Sequence, residues 1–105
     1  MPLFVLIGHD GPQGPELRKL HRDAHLANLA PLDAAGRVVH AGPLLGEDGT
    51  PLGSLVVFEA PSLASAQAFA AADPYVVRGV FERYEVRETR VVFPRRGSNV
   101  EARTP

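Results

Sequence analysis

Apolar residues recur along this chain with two different periods. Leu3-Phe4-Val5-Leu6-Ile7 is a short run closed by Gly8-His9-Asp10-Gly11-Pro12, the pattern of a buried strand running into a loop. From Pro15 to Ala35 strong strand formers are missing. Leu17, Leu20 and Ala24 fall on one helical face there, and His25, Leu29 and Leu32 on another. The change of face near His21 predicts a break, and Pro31 removes a hydrogen bond to Ala27, so two helical pieces are expected. Gly36 suits the left-handed position that closes a helix.

Arg37 to Leu45 reads as a second strand. The turn formers from Gly46 to Gly53 reverse it into a third, Ser54 to Glu59. Ser62 is placed to cap a helix on which Leu63, Ala66, Phe69 and Ala70 repeat, and Asp73-Pro74 ends that helix. A short helix from Pro74 to Val80 and a partly exposed last strand from Glu82 to Phe93 complete the pattern. Gly42-Pro43 interrupts the second strand, which predicts a bulge or a place where something approaches the backbone closely.

Strand, helix, two strands, helix and strand in that order predict an α+β, ferredoxin-like βαββαβ domain over residues 1–94. It has an antiparallel sheet with helices on one face. Side chains alternate across a strand, so Leu3, Val5 and Ile7 oppose Phe4 and Leu6, and Leu55 and Val57 oppose Val56 and Phe58. Both faces are therefore apolar, and the one without helices calls for a partner. A homodimer with the two sheets facing each other supplies it; the alternative is a monomer with unusually apolar strands. Residues 95–105 hold little to bury and read as a flexible tail.

Charge narrows the choice of partners. Eleven Lys and Arg against 12 Asp and Glu leave a formal charge of −1, which gives no field to gather nucleic acid or an anionic membrane. With no cysteine, any chemistry falls to His, carboxylates, hydroxyls or backbone, and no disulfide framework exists. The opening apolar run is too short for a membrane span or a signal core, so a cytoplasmic protein is expected.

Four histidines, at 9, 21, 25 and 40, are many for 105 residues. His25 shares its stripe with Leu29 and Leu32 and should face the sheet, where a buried imidazole needs a partner for each ring nitrogen. Asp10 and Asp73 are the candidate carboxylates, although a backbone carbonyl would also satisfy a core histidine. Asp73 before Pro is also what a helix start requires, and Asp10 before Gly11-Pro12 is a good turn residue. Arg22 could bind an anionic group or simply be solvated. His21 and His25 share the spacing of two metal ligands. A third would have to come from Asp10, Asp73 or His40, and neither a metal nor another cofactor is expected. The glycines from Gly8 to Gly14 match no phosphate or dinucleotide loop.

Several of these residues resemble the YciI-like family, also called YCII-related or DGPF-domain proteins. The likeness spans about residues 2–93. It lies in His9-Asp10 after the first strand, Arg22-Asp23-Ala24-His25-Leu26, Ala41-Gly42-Pro43, and Ala72-Asp73-Pro74-Tyr75 followed by Gly79-Val80-Phe81. The resemblance implies a dimeric α+β barrel and a catalytic His–Asp pair, His25 and Asp73 here. It also implies small cyclic substrates, with dehydrohalogenation of a small aromatic ring as one possible chemistry. Asp23, where many relatives have Pro, and Pro31 depart from the family pattern. The expectation is a lyase- or isomerase-like enzyme in which His25, oriented by Asp73, moves a proton. His9, Asp10, Arg22, Gly42, Pro43 and Tyr75 would bind the substrate. The competing expectation is a non-catalytic dimeric module that binds a small ligand or serves in regulation.

Overall fold

The computed structural model describes residues 1–95. Its elements are β1 (Leu3–Asp10), α1 (Gly14–Ala34), β2 (Val38–Leu45), β3 (Pro51–Glu59), α2 (Leu63–Ala72), α3 (Pro74–Val77) and β4 (Phe81–Thr89). The strands form one antiparallel sheet in the order β2-β3-β1-β4. The connection through α1 passes over β3 to reach β2, so the domain is ferredoxin-like, with its helices on one face.

Alternation along the strands decides where the core sits. Phe4 and Leu6 of β1 and Val56 and Phe58 of β3 face the helices and are buried with Leu29, Ala60, Ala66 and Ala70. The Phe69 ring packs at 5.0 Å from Phe58. A second cluster, Tyr75, Val80 and Phe81, closes the other end. Gly8 belongs to it by necessity, because a Cβ there would lie 2.5 Å from the Phe81 ring. On the opposite face Leu3, Val5, Ile7, Leu55 and Val57 are only half-buried.

The expected break in the first helix is absent: α1 is one continuous helix of 21 residues. Gly14, His25 and Leu29 are buried and Leu17, Arg18, His21, Asn28 and Leu32 partly so, which traces one uninterrupted face of period 3.6. Its middle is polar, whereas Leu20 points outward at 72% exposure, so apolar positions alone suggest a false change of face. Pro31 is tolerated because it and Ala27 are both exposed, leaving the Ala27 carbonyl open to water. The helix ends as anticipated at Gly36, with φ of 71°. Arg37 N donates to Leu32 O and Gly36 N to Asp33 O, the pairing that satisfies the last carbonyls.

The β2–β3 hairpin turns through Asp48, whose Oδ1 accepts from Thr50 N at 3.0 Å, and Gly49, with φ of 82°. β3 begins at Pro51, earlier than the expected Ser54. No bulge sits at Gly42-Pro43, which pair in step with Leu55 and Ser54. The irregularities fall between Val38 and His40 and between Leu44 and Leu45. β2 is an edge strand, where a missing Pro N–H is tolerated. Ser62 caps α2 as expected, accepting from Ser65 N at 3.1 Å. α3 stops at Val77, short of Val80. β4 stops at Thr89, short of Phe93, because Thr89 pairs with Leu3, where its neighbour β1 begins. The tail expected over residues 95–105 lies, beyond Arg95, outside the described residues. Among the described residues no helix is long and apolar enough to cross a membrane.

Candidate active site

His25 and Asp73 meet although 48 positions separate them. The α1 face turns His25 inward toward α3, and Asp73 stands at the junction of α2 and α3 with no exposed surface. His25 Nδ1 lies 2.8 Å from Asp73 Oδ1 and 3.0 Å from Oδ2. A carboxylate can only accept, so Nδ1 carries the hydrogen and Nε2 is left as the basic nitrogen of a ring that lines a cleft. Capping and histidine binding coexist in Asp73: Oδ1 also accepts from Tyr75 N at 2.8 Å, as an N-cap does, and Oδ2 from Asn28 Nδ2 at 3.3 Å.

Tyr75 braces the pair from the side. Its ring lies parallel to the imidazole, centroids 3.9 Å apart at 5°, and meets Phe81 edge-on at 5.7 Å. Burial pushes the Tyr75 phenol above its ordinary value of 10.0, against the opposing pull of the Arg18 and Arg22 guanidiniums. It is therefore a neutral O–H group around pH 7.

Arg18 is the site's other anchor. Its Nε donates to Asp10 Oδ2 at 2.6 Å, and its Nη2 donates to Asp10 Oδ1 at 2.9 Å, Gly53 O at 2.7 Å and Ser54 Oγ at 3.0 Å. The same guanidinium sits 5.0 Å from the Tyr75 ring centroid. One side chain thus ties the exit of β1, the first turns of α1 and the start of β3 to the aromatic ring beside His25. Gly14 makes room for this, since a Cβ there would come within 2.7 Å of Asp10 Oδ2.

The cleft measures about 600 Å³ and lies between α1 and the hairpin. One wall is α1, from Pro15 through Arg18, Lys19, Arg22, His25 and Leu26 to Leu29. The other is Ala41, Gly42 and Pro43 of β2 with Pro51, Ser54 and Val56 of β3. Tyr75 and Thr50 also line it. Ala41 and Pro43 stay exposed on the helix side of β2, which is why the space is open.

Of the residues singled out from sequence, His25, Arg22, Gly42, Pro43 and Tyr75 line this cleft, with Asp73 directly behind His25. Asp10 is placed one step back, held by Arg18. His9 is not brought to the cleft: it pairs with Gly53 and Arg83 and lies two residues from Ile7, on the same face of the sheet, away from the helices. His21 is absent from the lining, and no group of three His, Cys, Asp or Glu suited to a metal occurs among the described residues. Sequence reasoning missed Arg18, Lys19, Asn28 and Ser54. The signal for Arg18 was its spacing, four before Arg22 and seven before His25, which places all three on one helical stripe.

Fold and site together define a ferredoxin-like α+β protein with a carboxylate-bound histidine in an open cleft. The chain belongs to the YCII-related domain family, which it matches over residues 2–90. It is 40% identical over 97 residues to protein YciI of Escherichia coli O6:H1, covering 87% of this chain and 99% of that one. An uncharacterized protein of Haemophilus influenzae is 35% identical over 96 residues, covering 86% and 98%. Among solved structures, 5-chloro-2-hydroxyhydroquinone dehydrochlorinase (TftG) of Burkholderia phenoliruptrix AC1100, in complex with 2,5-dihydroxybenzoquinone, superposes with a TM-score of 0.75. It is 31% identical and covers 84% of this chain and 93% of its own. Protein Atu4242 of Agrobacterium tumefaciens, at a TM-score of 0.52 and 18% identity, covers 89% and 96% and shares the fold.

Proposed function

We propose that this protein is a small-molecule enzyme of lyase or isomerase type, in which His25 Nε2 takes a proton from a small cyclic substrate. The observation that carries this reading is the His25–Asp73 pair itself, with the imidazole in a cleft wall and its orienting carboxylate fully buried. Asp73 holds Nδ1–H and stabilises the imidazolium formed when the proton arrives. The Tyr75 hydroxyl, neutral at working pH, can donate to an oxygen of the substrate, and Gly42 and Pro43 on the opposite wall offer apolar contact to a ring. In the eliminating version, the C–H or O–H bond breaks toward Nε2, the electron pair left behind enters the ring, and the carbon–halogen bond releases halide. The net change is loss of hydrogen halide, with no redox partner. The relationship to a dehydrochlorinase at 31% identity supports this chemistry.

The protein acts as a homodimer in this reading. Leu3, Val5, Ile7, Leu55 and Val57 form an apolar sheet face with no helix over it, and a second copy packed face to face would cover both sheets.

The test is to incubate the protein with chlorinated dihydroxybenzenes and with mixed cyclic metabolites in deuterated water, following mass changes. Conversion or deuterium uptake that His25→Ala lowers by about 10²–10⁴-fold is the expected result. Ligand binding without any conversion, or turnover unchanged in His25→Ala, would overturn it.

A further inference from the structure

The charges of the cleft are unevenly matched. Arg18 is neutralised by Asp10 in a two-point pair, and His25 is matched by Asp73. Lys19 and Arg22 line the same wall, yet neither has a carboxylate within ion-pair distance among the described residues. The acidic neighbours on the helix, Glu16 and Asp23, are exposed and do not line the cleft. No acidic side chain lines it at all, and the facing wall is Ala41, Gly42, Pro43, Pro51 and Val56 with Ser54. Two cations without an acidic partner among the described residues thus face a largely apolar wall.

We infer that the cleft selects a small molecule with an anionic oxygen on an apolar carbon skeleton, a carboxylate or an enolate, and that Lys19 and Arg22 recognise the anionic end. The inference rests on the cleft being the substrate site. Arg22 precedes His25 by three residues, about 4.5 Å of helix rise, so an anion held by Arg22 puts the reacting atom only a few bonds away. Arg also offers the planar pair of donors that a carboxylate or enolate oxygen accepts best. Net charge hid this preference, because the −1 of the whole chain says nothing of one wall of one cleft.

Benzoate and its uncharged isostere benzamide separate charge from shape. Both are titrated calorimetrically into wild type, into the double variant Lys19→Gln/Arg22→Gln, and into His25→Gln, at low and high salt. Both cations are solvent-exposed, so the double variant keeps the fold, which circular dichroism checks. Wild type should bind benzoate at least about ten-fold tighter than benzamide. The double variant and high salt should each erase that preference, and His25→Gln should keep it. Equal affinity for the two probes, no measurable benzoate binding, or a preference that survives the double variant would each overturn the inference. Failure of the proton-transfer reading looks different: turnover persists in His25→Gln while the benzoate preference stands.

Discussion

The imidazole of His25 and the phenol ring of Tyr75 lie parallel, their centroids 3.9 Å apart, while one carboxylate, Asp73, holds the first by Nδ1 and the second by its backbone N–H. The imidazole plane is therefore fixed by two independent contacts. Tyr75→Phe keeps the stack and removes only the hydroxyl proposed to donate to the substrate, so it should lower turnover while leaving stability near wild type. Tyr75→Ala should cost about 3–5 kcal/mol of stability and broaden the His25 imidazole signals, as read by urea melts and proton–nitrogen spectra. A Tyr75→Ala protein with wild-type stability would show that the stack carries no weight.

Alkaline pH offers a second check on the same ring. The folded phenol is raised above its ordinary value of 10.0, so folding favours the neutral form. Its stabilising contribution is complete below pH 10 and is lost as pH rises through the folded value, because the unfolded chain ionises first. Urea midpoints at about pH 9 and about pH 11 should fall further for wild type than for Tyr75→Phe. Equal falls would remove Tyr75 from the alkaline transition.

Asp10 and Arg18 form a nearly buried pair, with side chains 5% and 12% exposed. Removing either partner leaves the other charge without its match, so Asp10→Leu and Arg18→Met should each cost about 3–5 kcal/mol. The double variant Asp10→Leu/Arg18→Met should recover much of that loss, as a denaturation cycle would reveal. Additive losses would mean that the pair does not act as a unit.

Packing at Gly8 is equally specific. Gly8→Ala drives a methyl into the Phe81 ring and should cost about 1–3 kcal/mol, while Phe81→Leu in the same chain should relieve part of it. Thermal melts of the four combinations decide this; a neutral Gly8→Ala would require the ring to move freely.

The proposed dimer is tested on the far face of the sheet. Val57→Glu places a charge there without touching the cleft, and should shift sedimentation from dimer toward monomer while circular dichroism stays unchanged. A wild type that sediments as a monomer would remove the dimer from the functional reading.

Much of this architecture can be read from residue order, and the reasons it stops are physical. Strand alternation at Leu3–Ile7 and Leu55–Phe58 assigns the sheet faces correctly, and Ser62, Gly36 and Asp73 mark helix ends through cap chemistry that acts locally. His25 is legible as an inward histidine, since its stripe includes Leu29 and Leu32. Its partner is not: choosing between Asp10 and Asp73 from spacing requires knowing how α1 lies across the sheet. The continuity of α1 was hidden because Arg18, His21 and Asn28 occupy the positions where a core-facing stripe normally carries apolar residues. A site embedded in a buried face looks, in sequence, like a fault in the helix.

The 48-residue separation of His25 and Asp73 has a consequence for assembly. A chain folded only as far as the hairpin would present the histidine with no acid behind it, because that acid arrives with the end of the second long helix. If His25 acts as proposed, competence for chemistry cannot emerge by degrees along the polypeptide. In the proposed reaction it switches on when α1 docks against the junction of α2 and α3, which would make turnover a reporter of that docking.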